Sequence, residues 1–112
     1  MEYNLIMKTI DINAIQVNIE SPGLIINDNL RSTLIAQIEK LGKFYSQITK
    51  CELILSVEKN DKQNNCIAEA RIFIPGKMFF SQSQESDFYK AADEMLDELR
   101  AQLLRYKEKT KD

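Results

Sequence analysis

The chain has 112 residues, the length of one domain, and it contains no histidine, which excludes Ser-His and Cys-His nucleophile pairs and the commonest metal ligand. A net charge of −2 and a pI near 5.2 exclude a uniformly basic nucleic-acid-coating protein, which would have a pI above about 9, but they do not exclude a local basic face. Because there is neither a run of 18 apolar residues nor a basic start followed by an apolar stretch, we expect a cytoplasmic protein without a membrane span. One core of this size leaves no room for a deep enclosed active site, and with no histidine we expect neither catalysis, a metal site nor a small-molecule substrate.

The first regular pattern in the chain begins at Ile15. Residues 15–21 alternate apolar and polar side chains, as a half-buried strand does, and Pro22-Gly23 ends the strand. Residues 1–14 fall outside the pattern. They are either an N-terminal extension, with Met7 as an alternative start, or a segment that lengthens the first strand.

The first helix is predicted to follow Asn27, which is a good N-cap residue. Gly42 weakens the helical pattern near its end. Apolar residues at steps of four and three form one stripe of this helix: Leu30, Leu34, Ile38, Leu41 and Tyr45.

The middle of the chain predicts an antiparallel hairpin. Residues 50–58 and 67–74 alternate in the manner of strands, and the polar residues 60–65 between them indicate a loop. Pro75-Gly76 is a turn that leads to a short fourth strand, residues 78–83. Ser83 or Ser86 is the predicted N-cap of the last helix. The apolar stripe of that helix is Phe88, Ala92, Met95, Leu99, Leu103 and Tyr106.

The predicted order of elements is β-α-β-β-β-α. Two helices with one apolar stripe each cover one face of a sheet, so the fold class is α+β. We expect a two-layer sandwich in which both helices lie on one face of a four-stranded, mostly antiparallel sheet. The single domain is residues 15–112.

Two groups of polar or reactive residues are given structural roles. Cys51 and Cys66 lie too far apart on the predicted hairpin for a disulfide, so both are expected to be reduced. Four carboxylates of the last helix form a solvated face rather than a metal site, since no histidine accompanies them: Asp93, Glu94, Asp97 and Glu98.

The sequence resembles a known family, the short ribosome hibernation factors. This family comprises hibernation-promoting factor and ribosome-associated inhibitor A, once called sigma-54 modulation proteins. The segments that carry the resemblance are INDNLRSTLIAQIEKLGKFYSQI (26–48), LILSVEK (53–59), IAEARIFI (67–74), PGKMFFSQSQESDFYKAAD (75–93) and QLLRYKEK (102–109). No single segment is a catalytic fingerprint, and the specificity comes from their order and spacing.

The resemblance implies a fold like that of a double-stranded-RNA-binding domain and a site on the small ribosomal subunit. Such proteins occupy the channel of messenger RNA and transfer RNA, contact ribosomal RNA through basic side chains, and inhibit translation in starvation or stationary phase. They are not enzymes and need no cofactor. The long members carry a second, dimerising domain that this sequence lacks, so the resemblance implies a monomer off the ribosome.

Residue by residue, the resemblance implies a set of RNA-binding side chains. Arg31, Lys40 and Lys43 fall where the family has bases on the first helix. Lys59 matches the Glu-Lys that ends the second strand. Tyr89 matches part of an Asp-x-Tyr pattern, and its ring either stacks on a base or packs beside Phe88. Bases at the end of the last helix complete the set: Arg105, Lys107 and Lys109.

The sequence also departs from the family pattern. Gln37, Glu98 and Ala101 stand where relatives have a base, and Arg100 is expected to point elsewhere, since one residue turns a helix by about 100°. The acidic balance leaves a second hypothesis open. It is a non-ribosomal protein-interaction module on the same fold.

Overall fold

The structure, a computed structural model, describes residues 7–12 and 14–110, with side chains from Ile10 onward. Seven elements follow one another along the chain: β1 (Met7–Ile12), β2 (Ile15–Glu20), α1 (Asp28–Phe44), β3 (Lys50–Val57), β4 (Cys66–Ile74), β5 (Lys77–Glu85) and α2 (Phe88–Lys109). None of the helices in this part of the chain is long and apolar enough to cross a membrane.

The strands form one sheet in the order β1-β2-β3-β4-β5. Only β2 and β3 pair in parallel, and α1 is the connection between them, as parallel pairing requires a crossover. The other three pairings are antiparallel. The α+β class and the mostly antiparallel sheet are therefore confirmed.

The prediction of four strands is wrong, because a fifth strand, β1, lies at the edge of the sheet. β1 does not lengthen β2. It pairs antiparallel with it, with Ile10 opposite Val17 and Ile12 opposite Ile15. The chain reverses at Ala14, whose φ of 71° lies in the left-handed region. Residues 1–6 and 13 of the predicted extension lie outside the described residues.

The two helices begin at side-chain caps. Asn27 caps α1 as predicted, and its Oδ1 accepts the Leu30 N–H at 2.7 Å. The prediction that Ser83 or Ser86 caps α2 is wrong, because Asp87 accepts the Lys90 N–H at 2.9 Å. A carboxylate at this position satisfies a free N–H group and also interacts favourably with the helix dipole.

Both apolar stripes lie against the same face of the sheet. The largest fully buried side chains come from the helices and from β2, β3 and β4: Leu34, Ile38, Met95, Leu99, Leu103, Val17, Cys51, Leu53, Leu55 and Ile72. The helices run side by side in the same direction, since Asn29 contacts Tyr89 at their first turns and Phe44 contacts Arg100 and Lys107 near their ends.

Gly42 is a point of close approach between α1 and β2. A Cβ atom at this position would lie 2.7 Å from Ile15 Cδ1, which is shorter than van der Waals contact. The residue that weakens the helical pattern in the sequence therefore allows the end of α1 to settle onto the buried Ile15.

Leu99 on α2 tests the assignment of the buried face. Its side chain is fully buried, whereas Leu104 on the same helix is 43% exposed. We expect Leu99→Ala to lower the free energy of unfolding by about 2–5 kcal/mol, as truncation of a core leucine does. The matched variant Leu104→Ala should change it by less than about 0.5 kcal/mol. Chemical denaturation measures both, and equal midpoints for the two variants would mean that the helix face is wrongly placed.

The two cysteines are free, as predicted, and differ in burial; burial raises the pKa of Cys66 as well. Burial and the neighbouring Glu52 carboxylate raise the pKa of Cys51 to about 12, and Cys51 is fully buried, whereas Cys66 is half-buried. The thiolate is the reactive form. At about pH 8, we expect iodoacetamide to alkylate Cys66 well before Cys51 in the folded protein and both at similar rates in denaturant. Equal rates in the folded protein would contradict the burial of Cys51.

Candidate nucleic-acid interface

The carboxyl ends of the two helices meet at Phe44, the last residue of α1. The guanidinium carbon of Arg100 lies 4.4 Å from the centroid of the Phe44 ring, and Lys107 Nζ lies 5.4 Å from it. Both cations come from α2 and are seven residues apart, which places them two turns apart on one side of the helix. The ring thus holds two positive charges beside the end of α1.

Two lysines of α1 extend this positive region. Lys40 precedes Phe44 by one turn on the same side of α1, and Lys43 adjoins it. Both are exposed. Lys43, Phe44 and Lys107 line a shallow groove with a volume of about 410 Å³. We call the four bases around Phe44 the helix-end cluster: Lys40, Lys43, Arg100 and Lys107.

The charges of the helix-end cluster are not neutralised within the described part of the chain. Among residues 10–12 and 14–110, no carboxylate oxygen lies within 4.0 Å of these four side chains. Cations in the last turn of a helix also offset the helix dipole. That role accounts for Lys43 and Lys107, but not for Lys40 and Arg100, which lie further from the helix ends.

A second basic group lies on the other side of α2. Arg105 and Lys109 face β5, where they and Lys77 line a separate groove. Arg105 Nη2 is 3.5 Å from Glu98 Oε2, and both side chains are more than half exposed, so this ion pair contributes little to stability. The bases predicted at the end of the last helix are therefore divided between two surfaces.

Three predicted site residues lie away from the helix-end cluster. Arg31 is half-buried near the start of α1, far from the helix end, and Lys59 is in the loop after β3, at the opposite end of the sheet. Tyr89 is 36% exposed, and its hydroxyl accepts a hydrogen bond from Asn29 Nδ2 at 2.8 Å. The Tyr89 ring is thus not part of the core, whereas the Phe88 ring packs against the core.

Arg100 is not among the predicted site residues, because the sequence places it one step away from the family's base at Ala101, which is half-buried. The seven-residue spacing from Arg100 to Lys107 was the available signal, because it places both side chains on one face of α2.

The amino ends of the helices carry the opposite charge. The acids of this region are Asp28, Glu85, Asp87, Asp93 and Glu94. The carboxylates predicted to form a solvated face of α2 are all exposed, and the described residues contain no group of three or more potential metal ligands.

Hydrogen bonds organise this acidic end. Gln37 of α1 donates to Asp93 of α2. A hydrogen bond with Glu94 raises the pKa of Glu85, while the Ser83 hydroxyl, 2.6 Å from Glu94 Oε1, lowers the pKa of Glu94. Glu94 therefore keeps its negative charge to lower pH than Glu85.

The separation of charge along the helices determines what the surface can bind. Four bases that form no ion pair with the described carboxylates attract phosphate groups, and each base that meets a phosphate releases condensed counterions. The acidic amino ends repel the same ligand. The arrangement favours a polyanion at the carboxyl ends of the helices.

Comparison with known proteins places the chain in one family. Residues 17–111 match the family model described as sigma 54 modulation protein / S30EA ribosomal protein. The chain is 32% identical over 94 residues to a ribosome hibernation promoting factor of Azotobacter vinelandii, with 84% of each chain covered. It is 30% identical over 96 residues to a protein of the same name from Klebsiella oxytoca, covering 86% of this chain and 97% of that one.

Solved structures agree on the fold. A ribosomal subunit interface protein from Coxiella burnetii superposes with a TM-score of 0.70 at 25% identity, covering 83% of this chain and 96% of that one. The N-terminal domain of Protein Y from Thermus thermophilus gives a TM-score of 0.66 at 20% identity, covering 87% and 99%. β1 precedes the residues matched by the family model, so it is an addition to the matched region.

Proposed function

The chain belongs to the sigma 54 modulation protein / S30EA ribosomal protein family, and we propose that it inhibits translation by binding the small ribosomal subunit in the channel of messenger RNA and transfer RNA. It acts in ribosome hibernation, as its curated relatives do. The likeness to double-stranded-RNA-binding domains and the role in starvation or stationary phase belong to this proposal. The observation that carries it is the helix-end cluster.

The helix-end cluster suits ribosomal RNA for a physical reason. Folded RNA is recognised largely through its shape, its phosphates and its 2′-hydroxyl groups, so a shaped basic surface is sufficient. Phe44 fixes the positions of Arg100 and Lys107, which reduces the side-chain freedom that binding would otherwise remove. Lys40 and Lys43 then present two further charges from the neighbouring helix.

An acidic protein can bind RNA in this way because its charges are separated. The net charge is −2, but in α2 four of the five acids precede Leu99 and four of the five bases follow it, and the two lysines of α1 lie near its carboxyl end. Random RNA meets repulsion over much of the surface. The bound orientation therefore places the carboxyl ends of α1 and α2 against the phosphates.

Family membership favours ribosome binding over the alternative of a non-ribosomal protein-interaction module. A sedimentation profile of cells entering stationary phase distinguishes the two. Ribosome binding requires the protein to migrate with ribosomal particles, and an interaction module would leave it among free proteins at the top of the gradient.

Reversing charge in the helix-end cluster should weaken binding to small subunits. We expect Lys40→Glu with Lys43→Glu to lower the affinity and to reduce the slope of log K against log[salt] by roughly 1.5, because each lysine that neutralises a phosphate contributes about 0.7–0.9. Both side chains are exposed, so the unfolding midpoint should hardly change. Binding is measured at several salt concentrations.

The matched control places the same charge change at the opposite end of the molecule. Lys59→Glu with Lys62→Glu alters the loop after β3, and both residues are exposed. If net charge alone governed binding, the two double variants would lose equal affinity. We expect the loop variant to bind nearly as well as the wild type. If both double variants lost the same affinity, the helix-end cluster would not be the specific interface, and Lys59 would remain a candidate RNA contact.

Inhibition of translation should follow binding. In a cell-free translation reaction, the wild type and the loop variant should inhibit at similar concentrations, whereas the helix-end variant should require a higher concentration. A helix-end variant that inhibits as strongly as the wild type would show that inhibition does not depend on this surface.

A further inference from the structure

The outer edge of β5 carries backbone groups without a strand partner among residues 7–12 and 14–110. The Phe80 carbonyl accepts a hydrogen bond from Gln102 Nε2 at 2.9 Å, so it points away from β4. In an antiparallel strand the N–H and C=O of one residue lie on the same side, and successive residues alternate. Met78, Phe80 and Gln82 therefore all direct their backbone groups to this edge.

The side chains beside this edge differ between the two faces of the sheet. On the face without helices, Met78 and Phe80 are 45% and 41% exposed. On the helix face, Lys77, Arg105 and Lys109 line a groove with a volume of about 650 Å³. The edge thus presents two exposed apolar side chains beside Arg71 on one face, and on the other face three bases, of which Arg105 is paired with Glu98.

We propose that the β5 edge binds an extended segment of a partner protein in which acidic and apolar residues alternate. A peptide added as a sixth strand would direct successive side chains to opposite faces of the sheet. Its acidic residues would meet Lys77, Arg105 and Lys109, and its apolar residues would meet Met78 and Phe80. This surface lies across α2 from the helix-end cluster, so the inference goes beyond RNA binding.

An RNA strand fits the same surface less well. Single-stranded RNA binds by stacking bases on open aromatic faces. Here Arg71 lies 5.7 Å from the ring centroid of Phe80, and Lys77 lies 5.2 Å and 5.6 Å from those of Phe79 and Tyr106. A cation already lies over one face of each ring and competes with a stacking base, whereas an aliphatic side chain needs only the exposed part of Phe80. The backbone donors and acceptors of the edge also have the spacing of a β-strand.

Gln102 is the group that a bound strand would displace. Its side-chain amide donates a hydrogen bond to the Phe80 carbonyl and also lies 3.3 Å from Glu98 Oε2. A side chain that covers a sheet edge protects it from unwanted pairing. Removing this amide should therefore expose the edge without removing any of the three bases.

The probe is a fluorescein-labelled peptide of about eight residues that alternates glutamate and valine, with binding followed by fluorescence anisotropy. We expect it to bind, and a lysine–valine peptide of the same length not to bind. In strand addition, only every second amide of the peptide faces β5. N-methylation of one alternate set of amides should abolish binding, and methylation of the other set should not.

Variants of the protein test the contacts. Lys77→Glu and, separately, Lys109→Glu should weaken binding of the glutamate–valine peptide roughly three- to tenfold, and Gln102→Ala should strengthen it. Lys40→Glu with Lys43→Glu should bind the peptide like the wild type. Peptide binding at the β5 edge can thus be disproved while ribosome binding through the helix-end cluster stands. Ribosome binding can likewise be disproved while peptide binding stands.

Nuclear magnetic resonance locates the bound peptide. The amide signals of Met78, Phe80 and Gln82 should shift on addition of the peptide. The proposal is overturned if the peptide does not bind at millimolar concentration, or if both N-methylated peptides bind like the parent, which would indicate charge attraction alone. It is also overturned if a ten-nucleotide single-stranded RNA shifts the same three signals at lower concentration than the peptide.

Discussion

The parallel pairing of β2 with β3 is the constraint on which the rest of the structure depends. Parallel neighbours need a crossover, and α1 supplies it. α2 follows the antiparallel strands β4 and β5 and returns over the same face of the sheet. Both helices therefore run in one direction and end at the same edge of the molecule, where Phe44 meets Arg100 and Lys107.

This geometry gives an acidic chain a basic surface. α2 has acids early and bases late, as the helix dipole favours, and α1 has Asp28 in its first turn and Lys40 and Lys43 near its end. Parallel alignment adds the two gradients instead of cancelling them, so the bases of both helices lie together and the acids lie together. Antiparallel helices with the same sequences would have paired Lys43 with acids near the start of α2. The proposed interface thus depends on topology as much as on composition.

Much of the fold was predictable because its strands and helices have strong periodic patterns. The stripe from Leu30 to Tyr45 and the alternation of residues 50–58 and 67–74 lie where the structure has α1, β3 and β4. β1 was missed because six residues carry little periodicity and because the reversal depends on a left-handed Ala14. The cap of α2 was misplaced by at least one residue, since both serine and aspartate can cap a helix.

The candidate site was less predictable than the fold. The resemblance supplied Lys40, Lys43 and Lys107, which do lie together, but it also supplied Arg31, Lys59 and Tyr89, which lie elsewhere. Which bases converge depends on the packing of α1 against α2, and no pattern within one helix contains that information. Arg100 belongs to the site only because Phe44 lies beneath it.

The most direct test of the account is lysine acetylation of the unmodified protein with and without small ribosomal subunits, read by mass spectrometry. We expect the subunits to protect Lys40, Lys43 and Lys107, while Lys59 and Lys62 stay as reactive as in the free protein. All five side chains are exposed in the free protein, so acetylation of each can show whether the subunit covers it. Protection of Lys59 and Lys62 with continued reactivity of Lys40, Lys43 and Lys107 would contradict the account.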